Sequence, residues 1–436
     1  MRIVYIAAGA AGSYCGACAR DLALCRGLIA RGHDVLLVPL YTPLRSDVPM
    51  PRAERVFYGG INAWLQDRSG IFRRTPRFLD WLLDRPWLLN LASRAIETRP
   101  ENLGAMTVSV LRGADGRQRK ALEELLRFLE SGRRPEVINL TNSLLSAVAP
   151  EIKRRLGVPL FCTLQGEESF VARLPQPYRD EATSLMRSHA QHFDRLFSPG
   201  EAHADEMSEF LAVPRERIQV VRPGVEALRY RSAGARVRAP FRIGFLSRVS
   251  PAKGLDILVE AFILLEKRRP GKDMVLSVAG EVTRPNSRFL DRLRERIASA
   301  GLTERFEYLG EVGLEEKVRF LQNLSAFCLP SRYAEQRAMA CLEAMAAGVP
   351  AVAPRLGLFP ELFGLTGGGL LVPVEDPAAV AEALAALMDD PDRADQMGRA
   401  ASEGVARLFS SEAMTAQTLA IYEEALKAIP VDNKPA

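Results

Sequence analysis

Arg248-Val-Ser-Pro-Ala-Lys253-Gly254 puts two cations and a glycine within seven residues. The stretch follows the apolar run FRIGFLS and precedes a helical pattern, so it is a loop between a strand and a helix. Cations there suit a cluster of anionic oxygens, because arginine grips phosphate with two N–H groups and lysine acts as a point charge. The plain alternative is that both are solvated. The order Gly-x-x-x-x-Gly-Lys-Ser/Thr is absent, so this is not a P-loop. A second stretch, Arg332-Tyr-Ala-Glu335-Gln336-Arg337-Ala338, follows the apolar run SAFCLPS and leads into MACLEAMAAG. A helix start offers unpaired N–H groups and a positive dipole end to an anion. Glu335, just ahead of it, can accept hydrogen bonds from hydroxyls. Glu343 lies eight residues further on, among Cys341, Leu342, Ala344 and Met345. A carboxylate in apolar surroundings is costly unless paired. A ribose diol or a cation is a fitting partner; an ion pair with an arginine is the alternative.

Two loops nearer the start are weaker candidates. Gly9, Gly12 and Gly16 follow the run RIVYIAA and let backbone approach a ligand closely. They do not form Gly-x-Gly-x-x-Gly, and DVLLVPLY ends without an acidic residue for a ribose, so a dinucleotide site is excluded. Gln165-Gly166-Glu167-Glu168 follows VPLFCTL; its carboxylates either do chemistry or cap a helix. Cys15 and Cys18 have redox or zinc spacing without a second pair, which favours a packing role. His189 and His192 sit on a helical pattern without a nearby acid. Trp64, Trp81 and Trp87 are read as core.

These loops need strands and helices to hold them. Residues 2–8, 34–41, 136–141, 158–166, 194–200 and 218–224 read as strands, the first two joined by a helix that Gly32 ends. The pattern restarts at FRIGFLS, with further strands MVLSVAG, RFEYLGEV, SAFCLPS and VPAVAP alternating with helices. From Pro377 helices and turns alternate to about Ala428, and the tail reads as disordered. The predicted fold class is α/β, two successive doubly wound, Rossmann-like domains. Residues 1–226 form the first, with a helical insertion over about 42–130. Residues 227–410 form the second, opening on a linker over 227–240, and 411–436 are a closing helix and tail.

Composition narrows the class. A net charge of +5 on 436 residues does not argue for nucleic acid. Basic clusters at Arg73–Arg74, Arg133–Arg134, Lys153–Arg155 and Lys267–Arg269 are ordinary solvated faces, or contacts to an anionic membrane surface. No run of 18 apolar residues is present, and six cysteines in a chain this long are not a disulfide framework. A cytoplasmic protein, with peripheral membrane contact left open, is expected.

LPSRYAEQRAMACLEAMAAGVPAVAP resembles the Glu-x7-Glu segment of the family 4 retaining glycosyltransferases of the GT-B fold, with Glu335 and Glu343 as the two acids. GFLSRVSPAKGLDILVEAF, GLIARGHDV, VRPGVE and LGLFPELF with GGGLLVPVEDPAAVAEAL are similar to other segments of that family. The resemblance covers the chain except about 42–130. It implies two domains facing each other across a cleft and sugar transfer from a nucleotide-sugar donor to a glycan, lipid or small-molecule hydroxyl. It implies no metal and no cofactor, the nucleotide sugar being a substrate. Arg248 and Lys253 would stabilise the leaving diphosphate. Glu343 would hold the ribose and Glu335 the transferred sugar, with the N–H groups of Gln336, Arg337 and Ala338 around it. Gly16 would admit the donor phosphate, Gln165 would stand in the donor site, and the helix near Tyr422 would cross back to the first domain. The chain departs from the family in having Gln336-Arg337-Ala338 for the usual Gly-Phe-Gly, and Gln165-Gly166 for His-Gly. A proton role at Gln165 is thereby excluded. The rival readings are another GT-B nucleotide-sugar enzyme, an epimerase or hydrolase, and a binding protein with a degenerate site.

Overall fold

The structure is a computed structural model that describes residues 1–9, 16–41, 51, 53, 56–57, 100–231 and 239–428. Two compact units are present: Met1–Arg222 together with Met414–Ala436, and Pro223–Ala413.

The first unit is built on six parallel strands: β1 Arg2–Ala7, β2 Asp34–Pro39, β3 Val137–Leu140, β4 Leu160–Thr163, β5 Arg195–Ser198 and β6 Ile218–Val220, in the order β2-β1-β3-β4-β5-β6. Each strand lies in one of the predicted apolar runs. A parallel sheet is covered on both faces, and β1 shows it: Val4 and Ile6 enter one core, while Ile3, Tyr5 and Ala7 enter the other. The second core is closed by helix Gly16–Ala30 and by the last helix, Ser411–Lys427. Tyr422 of that helix is fully buried, its ring 4.7 Å from Phe161 and 6.0 Å from Phe197. Of the predicted insertion, helices Pro100–Leu111 and Arg119–Ser131 are described. Its tryptophans, the glycine loop 10–15 with Cys15, the basic pair Arg73–Arg74 and the tail beyond 428 lie outside the described residues.

The second unit has strands β7 Phe241–Leu246, β8 Met274–Ala279, β9 Phe306–Tyr308, β10 Ala326–Cys328, β11 Ala351–Pro354 and β12 Gly369–Val372, all parallel. Their order, β12-β11-β10-β7-β8-β9, is that of a dinucleotide-fold sheet and reverses between β7 and β10. Ligands of such sheets bind beyond the carboxyl ends of the strands at that reversal, which is where the two charged loops begin.

Two readings of the sequence are corrected. Strand β12 and the helix Phe359–Thr366 before it went unread, because the glycines at 367–369 mask a short apolar run. The predicted linker 227–240 is not all linker: Ala227–Tyr230 is a helical turn whose Ala227 and Tyr230 are buried in the second unit's core.

Candidate functional site

After β7 the chain passes Arg248, makes one tight turn over Pro251–Lys253, and reaches Gly254 at φ +76° before helix Leu255–Arg268. Gly254 is required twice over: its φ is left-handed, and a Cβ there would stand 1.9 Å from the Pro330 carbonyl oxygen. This is where the loop after β10 comes closest. The Arg332 N–H donates to the Ala252 carbonyl at 2.9 Å. The Arg332 guanidinium grips Asp256 through two bonds of 2.8 Å and reaches Glu375 at 2.5 Å. Asp256, at the start of the next helix, raises the pKa of that guanidinium further. Arg332 therefore staples the two loops.

That staple brings Lys253 to Glu335. The ammonium donates to the Glu335 carboxylate at 2.5 Å, and each side chain is only 13% exposed. The Tyr333 ring lies 4.6 Å from Lys253 Nζ. Burial, then the neighbouring Glu335, push the Tyr333 phenol up, so it stays neutral. Arg248 is exposed, and its guanidinium makes no hydrogen bond or ion pair with another described side chain. Ala338 caps helix Met339–Ala346 in a left-handed conformation, φ +47°, an uncommon choice for a residue with a Cβ. Gln336 is buried and Arg337 half-buried in the same turn.

Glu343 is buried in that helix, and its Oε1 accepts from Lys317 Nζ at 2.6 Å and from the Tyr230 hydroxyl at 2.9 Å. The pairing required by burial is thus met by a lysine and a phenol rather than an arginine. Both contacts go to one oxygen. Tyr230 and Lys317 were not singled out in the sequence; Tyr230 sits in the stretch read as linker, and no local pattern marks either one.

In the first unit, Gly16 opens helix Gly16–Ala30 and is half-buried. Gln165 Nε2 donates to the Thr141 carbonyl at 2.6 Å and to the Thr141 hydroxyl at 2.9 Å. The Glu167 carboxylate braces the loops after β3 and β4, accepting from the Ser143 N–H at 2.9 Å and the Gln165 N–H at 2.7 Å. Burial raises its pKa. Glu168 pairs with His203 at 3.4 Å, which holds its carboxyl low despite burial. Neither side chain caps the helix Glu168–Val171. His189 is buried against Ser146 Oγ at 3.2 Å, and burial presses its pKa down to about 4. Cys18 is buried. Missed in the sequence was a buried polar cluster of Tyr5, Arg20, Asp21 and Thr141. Its local sign is the adjacent Arg20-Asp21 pair inside a largely apolar helix.

Among the described residues no three His, Cys, Asp or Glu side chains gather as a metal set, and no helix is long and apolar enough to cross a membrane. The described basic clusters are partnered internally: Arg134 with the Leu156 carbonyl, Lys153 with Asp194, Arg155 with Glu123, and Arg269 with Asp389.

Two family models match the chain: a glycosyl transferase 4-like domain over residues 16–224, and glycosyl transferases group 1 over residues 229–404. The D-inositol 3-phosphate glycosyltransferase of Streptomyces avermitilis is 30% identical over 246 residues, 54% of this chain and 53% of that protein. The lipopolysaccharide core biosynthesis mannosyltransferase LpsB of Rhizobium meliloti is 37% identical over 193 residues, 42% of this chain and 52% of that protein. The chain thus spans about half the length of the curated relatives it matches. Among solved structures, Anabaena Alr3699/HepE in complex with UDP-glucose superposes with a TM-score of 0.67 at 15% identity, covering 98% of this chain and 100% of that one. The sucrose-phosphate synthase of Thermosynechococcus elongatus superposes with a TM-score of 0.69 at 18% identity, covering 98% of this chain and 100% of that one. With the two doubly wound sheets and the acid-bearing segment at a sheet reversal, these matches show that the chain belongs to the family 4 glycosyltransferases of the GT-B fold.

Proposed function

We propose that the protein transfers a sugar from a nucleotide-sugar donor to a hydroxyl acceptor, with retention at the anomeric carbon. The observation that carries this reading is the pairing of Lys253 with Glu335 at the reversal of the second sheet, in the two loops that Arg332 joins. A cation and a sugar-binding carboxylate there can part to take a diphosphate and a sugar. A donor diphosphate takes Lys253 and the exposed Arg248, which stabilise the charge that builds on the leaving oxygen. Glu335, released, accepts from hydroxyls of the sugar, beside the N–H groups of Gln336, Arg337 and Ala338. Glu343 offers the ribose its second oxygen, and Lys317 and Tyr230 hold the carboxylate in place through the first. The departing diphosphate oxygen takes the acceptor's proton on the face it leaves, so the protein's part is positioning and electrostatics. The nucleotide-sugar reading has support in the UDP and UDP-glucose complexes of the Anabaena neighbour.

Thermal shift with UDP, UDP-glucose, GDP-mannose and NAD tests it. A ligand of the folded state adds about 2.7 kcal/mol at 100-fold over Kd, so a nucleoside diphosphate should raise Tm by a few degrees and NAD should not. No shift by any nucleotide at millimolar concentration would favour a non-catalytic role. The product's anomeric configuration, read by NMR, tests retention.

A further inference from the structure

Strand β10 lies between β7 and β11 in the second sheet. The loop that follows it, which carries Glu335, is held from both sides. On the β7 side Arg332 fixes it, through the Ala252 carbonyl and Asp256. On the β11 side the contact is backbone against backbone. The Leu358 N–H donates to the Glu335 carbonyl at 3.0 Å. Gly357, at φ +60°, faces the same stretch. A Cβ on it would stand 2.6 Å from the Glu335 nitrogen, 2.9 Å from the Glu335 carbonyl oxygen and 2.9 Å from the Ala334 carbonyl carbon.

None of those three atoms belongs to a side chain that could swing aside. The turn that carries Gly357 cannot retreat either. Leu358 and Phe359 are 3% and 0% exposed in the second unit's core, at the start of helix Phe359–Thr366. The Arg355 N–H, two residues earlier, donates to the Val372 carbonyl of β12 at 2.9 Å. A side chain at position 357 must therefore displace the backbone of Glu335, and with it the carboxylate that meets Lys253 at 2.5 Å.

We infer that Gly357 is a positioning residue: by lacking a side chain it lets the Glu335 backbone seat where its carboxylate serves both Lys253 and the hydroxyls of the transferred sugar. The inference rests on the reading of Glu335 as the sugar-binding acid. The same helix supplies a matched control. Gly367 closes it at φ +65°, and a Cβ there would meet only the Ala400 Cβ, at 4.0 Å. Alanine at 357 and at 367 carries the same left-handed strain. Only at 357 does it also press on Glu335.

The first arm of the test needs no ligand. In full-length protein labelled with ¹⁵N-glutamate, the Glu335 amide signal is assigned by its loss in Glu335→Gln. It should shift in Gly357→Ala and stay in place in Gly367→Ala. Gly357→Asn should shift it too; asparagine tolerates the left-handed backbone better and keeps the Cβ, so it carries the test if Gly357→Ala does not fold. The second arm measures UDP-glucose and UDP binding by calorimetry. Gly357→Ala or Gly357→Asn should weaken UDP-glucose about tenfold and change UDP by less than about twofold, with no further effect on UDP-glucose in a Glu335→Ala background. Gly367→Ala should lose stability and leave both affinities within about twofold. An unmoved Glu335 signal in a folded position-357 variant overturns the inference. So does an equal loss of UDP-glucose and UDP, or the same loss in Gly367→Ala. If the parent binds no UDP-glucose, the nucleotide-sugar reading fails at that donor, while the amide signal still decides whether Gly357 seats Glu335.

Discussion

Lys253 and Glu335 are 82 residues apart in sequence and 2.5 Å apart at their charged ends. A ligand that takes one must part it from the other, so the pair competes with the donor diphosphate. Glu335→Gln should release Lys253 and tighten plain UDP by about three- to tenfold, the scale of one partly screened ion pair. The same change should weaken UDP-glucose relative to UDP, because a carboxylate accepts more strongly than an amide. Calorimetry with both ligands checks it; weaker UDP binding in Glu335→Gln would refute the competition.

Arg248 and Lys253 should separate activity from stability. Each change to alanine should lower sugar transfer by about 10²–10³, the usual scale for one lost donor to a developing oxyanion. Arg248 is exposed and unpartnered by described side chains, so Arg248→Ala should alter stability by no more than about 0.5 kcal/mol. Lys253→Ala strands Glu335 and should cost about 1–3 kcal/mol. Steady-state rates and urea midpoints on both variants distinguish the two roles, and equal stability loss would contradict them.

Glu343→Ala removes the acceptor of both Lys317 and Tyr230. With the Glu343 side chain 10% exposed, the cost should be about 3 kcal/mol, as for one half of a buried pair. Lys317→Met removes one of the two donors that fix the Glu343 carboxylate and should weaken UDP. A melting curve of Glu343→Ala within a degree of the parent would show that the pair contributes nothing.

Stability should fall with acid in a way traceable to His189. Its pKa is about 4 in the folded protein against 6.5 for a free histidine, through burial first and His192 second. Below pH 6.5 the unfolded chain therefore binds a proton that the folded one refuses, and folding weakens as pH falls until it passes the folded value. Between pH 7 and pH 5 this costs about 2 kcal/mol. His189→Gln should lose less of its urea midpoint across that interval; an unchanged pH slope would remove His189 as the cause.

The strands other than β12, and the loops that end them, were legible in the sequence because a buried parallel strand is a short apolar run and the polar residue after it is a loop. FRIGFLS and SAFCLPS announced β7 and β10, and with them the positions of Arg248, Lys253 and Glu335. The neighbours of Glu343 showed that it is buried, hence that it needs a partner. They did not say which. Lys317 is 26 residues before it and Tyr230 is 113 before it. Likewise Asp21 meets Thr141 across 120 residues and Lys253 meets Glu335 across 82. Local sequence sets backbone conformation and burial, because these depend on near neighbours and on periodicity. The partner of a buried charge is chosen by which strand ends the sheet order places side by side, and only the tertiary structure decides that.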